Sequence, residues 1–145
     1  MEAQMLKIGA VVLTISTCFN LLLATAILVA IIFLGKNPPI LYVSLDQAEA
    51  AQLPGQVLAT FKSLAIYFNS AVVTFCLLSI FVIWAALSQG HKWAFWALLI
   101  TMGTGQIMAF IADSFIGNKT LVVNIVLTAV YLLGMGLSWF GLKTN

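Results

Sequence analysis

Lys62, Asn69, Gln106, Asp113, Asn124 and Tyr131 are the residues whose types and spacing could do chemistry, because each puts a polar group in or beside a long apolar run. Such side chains are costly in hydrocarbon and turn towards a bundle interior or water. Gln106 and Asp113 are seven residues apart, which sets them on one helix face, and Lys62, Asn69 and Cys76 repeat at the same interval. Asn124, Thr128, Tyr131, Met135 and Ser138 keep a four-three spacing, one continuous stripe. If these stripes all point inward, they form a polar funnel with Lys62 and Asp113 close enough in depth to pair at its mouth. A funnel of this kind would bind or pass a small amphipathic molecule, such as a lipid or a quinone. A competing expectation is that the amides and hydroxyls only tie helix to helix, each contributing about 0.6–2 kcal/mol. A third makes Asp113 the acid or base of a lipid-acting enzyme, which needs its carboxyl buried.

Other chemistry has little to build on. The one histidine, His91, sits in a short polar connection, so haem held by two histidines of one chain is excluded, as are Ser/His/Asp and Cys/His sets. A zinc or di-iron centre needs three or four clustered His, Cys, Asp or Glu ligands, which the sequence does not supply. No arginine is present among the six basic residues, so a bidentate phosphate clamp is not expected. Cys18 and Cys76 are far apart with no CxxC, and both read as small buried hydrophobes. Ile15-Ser16-Thr17-Cys18 faintly echoes a lipoprotein cleavage site, but Thr17 is poor before the cysteine and the apolar run continues. Asn118-Lys119-Thr120 is an N-x-T sequon, read as chance. No cofactor is implied.

The elements that must position these residues follow from composition. The 145 residues are 63% hydrophobic and 7% charged, with a mean hydropathy of +1.13. A soluble domain carries roughly 25% charged residues. Ten charged side chains could not cover a water-facing surface, which excludes a soluble enzyme, a nucleic-acid binder and a disordered chain. Four apolar runs, about 8–34, 63–87, 93–116 and 121–142, are long enough to span hydrocarbon, which takes about 20 helical residues. The fold expected is all-α: a single four-helix transmembrane bundle over 1–145, with the lipid bilayer as its first partner. The first run is too long for the apolar core of a cleaved signal and follows Glu2, so it is read as a span.

Asn37-Pro38-Pro39 stops the first helix, since proline lacks the N–H and forces its predecessor extended. In the connection 35–62, Ser44-Leu45-Asp46-Gln47 reads as a capping box opening a short amphipathic helix over about 45–53, a spacer or a lid. Lys7, Lys92 and Lys143 fall on one side of the membrane, and Lys36, Lys62 and Lys119 on the other, so lysine counts tie. The long connection and three of the four acids suit an outer face, which puts both termini in the cytoplasm. Trp84, Trp93, Trp96 and Trp139 all fall near the Lys92 side and read as half of an aromatic belt.

Thr101-x-x-x-Gly105 and Gly134-x-x-x-Ser138 fit the small-xxx-small pattern of close helix contacts, within the bundle or between subunits. Gly90-His91-Lys92-Trp93-Ala94-Phe95-Trp96-Ala97 resembles the G-x-x-W-A-x-W-A turn of small four-helix bacterial membrane proteins of the DoxX-like type. The resemblance covers only that turn. It implies a bacterial inner-membrane bundle and carries over no functional residues. The leading functional expectation is a non-enzymatic accessory or scaffold subunit, packing as a homo-oligomer or with a membrane-complex partner. The amphiphile-binding funnel is the alternative, followed by the lipid-acting enzyme.

Overall fold

The computed structural model describes residues 2–39, 45, 49, 52–115 and 120–143. Four long helices form: α1 (Glu2–Ile32), α2 (Gly55–Ala85), α3 (Lys92–Phe115) and α4 (Leu121–Leu142), with a 3-10 turn over Leu87–Gln89. At 1.5 Å per residue they are about 46, 46, 36 and 33 Å long, against about 30 Å of bilayer hydrocarbon. All four are long and apolar enough to cross a membrane. No strand occurs among the described residues. The amphipathic helix expected over 45–53 falls for the most part outside the described residues, as does most of the Asn118 sequon.

Helix ends follow local chemistry rather than apolarity. α1 starts ahead of its apolar run because Glu-Ala-Gln-Met-Leu-Lys, residues 2–7, are good helix formers whatever surrounds them. Its end is set by Gly35, at φ +63, with the Lys36 N–H reaching back to Ala30 O at 3.0 Å. Glycine adopts that left-handed conformation without a Cβ penalty. The prolines therefore follow a helix already closed. Gly90, at φ +87, closes the turn between α2 and α3 as a Schellman cap, with its own N–H on Leu87 O at 2.9 Å and the His91 N–H on Ala86 O at 3.1 Å.

The chain divides into two compact units. The first, Met1–Phe19 with Leu77–Asn145, contains a core of Leu6, Ala10, Leu13, Ile83, Leu87, Phe95, Leu98, Met102, Tyr131, Met135 and Leu142, among others. Here α3 packs on α4, and the start of α1 packs on α4 through glycines. A Cβ on Gly9 would lie against the Ser138 side chain, 2.7 Å from Ser138 N and 2.9 Å from Gly134 O. One on Gly134 would meet Leu13 Cγ at 2.8 Å, and one on Gly141 would meet Leu6 N at 2.7 Å. The second unit, Asn20–Cys76, buries Ala24, Ile31, Pro38 and Cys76.

Large apolar side chains are exposed on all four helices, among them Leu22 at 71% and Phe115 at 84%. A soluble monomer rarely shows contiguous apolar surface on that scale.

The α1–α4 seam makes a direct prediction. Gly9→Ala gains up to about 1 kcal/mol of helix propensity but must displace backbone atoms, at about 1–3 kcal/mol. We expect a net loss of about 1 kcal/mol in unfolding measured in detergent. Gly105→Ala, with nothing within 4 Å of its added methyl, should be neutral or stabilising. Equal effects at both positions would contradict the seam.

Candidate functional site

α3 and α4 carry four of the six polar residues marked by spacing, and each has a partner. Thr128 Oγ1 donates to Gln106 Oε1 at 2.8 Å, joining the helices near their middle. One turn further along α4, the Tyr131 hydroxyl donates to Leu99 O at 3.1 Å. Gly103 makes room for it, since a Cβ there would stand 3.2 Å from the Tyr131 oxygen. Asn124 Nδ2 donates to Thr120 Oγ1 over a longer 3.4 Å.

Asp113 has a local task. Its Oδ1 accepts from Thr120 N at 2.9 Å and from Thr120 Oγ1 at 2.7 Å, immediately before α4. Thr120 makes no side-chain cap of its own, so a carboxylate from the end of α3 covers the orphan N–H at the start of α4. The negative charge also suits the positive end of the α4 dipole. The carboxyl is 1% exposed, and its second oxygen, Oδ2, is buried without a hydrogen-bond partner.

Lys62 and Asn69 lie in the other unit. Lys62 Nζ donates to Gly35 O at 3.1 Å, setting an ammonium on the carbonyl just past the end of α1. Asn69, 9% exposed, turns its amide back to Ala65 O at 2.8 Å on its own helix.

The two small-residue motifs part company. Gly134 and Ser138 are buried in the α1–α4 seam, Ser138 Oγ donating to Gly134 O at 2.8 Å. Thr101 and Gly105 are exposed on α3, and the Thr101 hydroxyl donates to Ala97 O in its own helix.

Sequence reasoning missed a groove at the other end of the α3–α4 pair. Its volume is about 280 Å³, and its lining is Lys92, Phe95, Trp96, Trp139, Leu142 and Lys143. Phe95 lies 5.5 Å from Trp96 and 5.2 Å from Trp139, ring centre to ring centre, and the two indoles are 6.0 Å apart. Gln106, Asp113, Asn124 and Tyr131 do not line it. The available signal was the pair of Lys/Trp spacings of four, Lys92–Trp96 and Trp139–Lys143, which set each lysine on the same helix face as a tryptophan.

Among the described residues no three His, Cys, Asp or Glu side chains are grouped to hold a metal ion. Compared with known protein families, curated proteins and solved structures, the chain matches none.

If the α3–α4 bonds are ties, they should couple energetically. In a double-mutant cycle of Gln106→Leu and Thr128→Val, unfolding in detergent should give a coupling of about 0.6–1.7 kcal/mol. Additive effects would show that the bond contributes nothing.

Proposed function

We propose that the chain is an integral membrane protein without catalytic activity, an accessory or scaffold subunit that packs with itself or with a larger membrane complex. The observation that carries this reading is how the polar groups of α3 and α4 are used. Gln106, Thr128 and Tyr131 are taken up by bonds between these two helices, which leaves them no free arrangement for chemistry. Thr101 and Gly105, by contrast, leave an outward strip of α3 without bulk. In lipid, where apolar side chains gain nothing by leaving one another's company for acyl chains, small residues let helices approach closely enough for packing to hold them. The bilayer is the solvent this apolar surface fits. Both termini lie on the cytoplasmic side in this reading, and the Gly90–Ala97 turn supports a bacterial inner membrane and a DoxX-like relationship.

One observation favours a second reading, in which the chain binds or transports a small lipid or quinone in a polar funnel. Asp113 Oδ2 is a buried acceptor with no partner, and a donor on such a ligand would satisfy it.

Cysteine cross-linking in native membranes tests the first reading. In a Cys18→Ala, Cys76→Ala background, Thr101→Cys and Gly105→Cys should each give an oxidant-dependent adduct with a second copy or another polypeptide. Leu132→Cys, on the exposed face of α4, serves as the lipid-facing control. Adducts at Leu132 but at neither α3 position would contradict an α3 interface.

A further inference from the structure

We propose that the groove between the start of α3 and the end of α4 seats the phosphate headgroup of an anionic phospholipid, bound by Lys92 and Lys143. The proposal rests on the membrane reading above but not on the α3 interface.

Charge complementarity identifies the occupant. Among the described residues the lining contains two lysines and no carboxylate. Both lysines are exposed, and no hydrogen bond or ion pair among the described residues reaches either ammonium. Lys143 Nζ stands 5.5 Å from the Trp139 ring centre, a cation–π contact that holds the side chain over the groove. That contact leaves its N–H donors available, since a lysine ammonium carries three. Two ammoniums without a partner among the described residues repel the quaternary amine of a zwitterionic headgroup and favour a lipid with net negative charge.

Shape and polarity identify which part of the lipid is held. A volume of about 280 Å³ falls just under the roughly 300–1,000 Å³ of sites that engulf a whole ligand. It fits one end of an amphiphile. Phe95 and Leu142 form a buried apolar floor, 6% and 2% exposed, while Trp96 is 51% exposed and offers its ring outward. An acyl chain leaving the headgroup along Trp96 therefore continues over apolar surface. With no arginine to form a bidentate clamp, attraction comes from point charges and is screened by salt.

The test uses the full chain with Trp84→Phe and Trp93→Phe, both exposed positions, so that emission reports on Trp96 and Trp139. The protein is reconstituted in phosphatidylcholine vesicles, and brominated phosphatidylglycerol or brominated phosphatidylcholine is titrated in as quencher. We expect the glycerol lipid to win by about 25-fold, with Lys92→Gln and Lys143→Gln each removing about fivefold, from about 1 kcal/mol per lysine. Raised salt should shrink the preference. Equal quenching by both lipids overturns the headgroup assignment and leaves the membrane reading standing. Quenching by neither overturns both. Release of the glycerol lipid by inorganic phosphate overturns the lipid as occupant in favour of a free anion.

Discussion

The close approach of α1 to α4 is the constraint on which the larger unit depends. At Gly9, Gly134 and Gly141 the two backbones leave no room for a methyl group. That closeness buries Leu6 and Leu13 on α1 and Ser138 and Leu142 on α4, each 3% exposed or less. It also fixes which face of α4 remains for α3. Packing of this kind is dispersion summed over many short contacts, and it needs no polar chemistry. The core and seam of this unit accordingly contain few polar groups.

With α4 held on one side by glycines, its other side is registered against α3 by hydrogen bonds. Asp113 caps the start of α4, Gln106 meets Thr128 near the middle, and Tyr131 reaches Leu99 one turn further on. The three bonds run in order along the pair, so a slide of one helix past the other would break them together. Beyond Tyr131 the contact becomes aromatic, through Phe95, Trp96 and Trp139. Polar ties at one end and edge-to-face and tilted ring contacts at the other give α3 and α4 a single register. This is the behaviour expected of a framework, and it underlies the scaffold proposal.

Much of this was legible in the sequence, but unevenly. Four long apolar runs separated by Gly and Pro signals announced four helices, because length and apolarity survive without knowledge of partners. Helix starts were less legible, since residues 2–7 are helical by propensity while carrying charge. The stripe Asn124, Thr128, Tyr131, Met135 and Ser138 was legible as a spacing, yet Thr128 and Tyr131 bond α3 while Ser138 sits in the α1 seam, and periodicity cannot say whether a face meets a cavity or a neighbouring helix. Asp113 shows the same limit: its carboxyl turns to Thr120, seven residues on, a local contact hidden in a loop whose path the sequence does not reveal. Gly134 and Ser138 were marked by spacing, but Gly9 and Gly141 were not, because a seam between distant segments needs both partners to be recognised. Trp96 and Trp139 were read as members of a belt. Only the folded pair brings them within 6.0 Å of each other in a groove that two lysines also line.

The most direct test of the central claim is native mass spectrometry of the protein released gently from its own membrane. The scaffold account predicts a defined multiple of the 15.7 kDa chain or a complex with a second polypeptide, lost on Gly105→Leu. Bare monomers from the unaltered chain would contradict it.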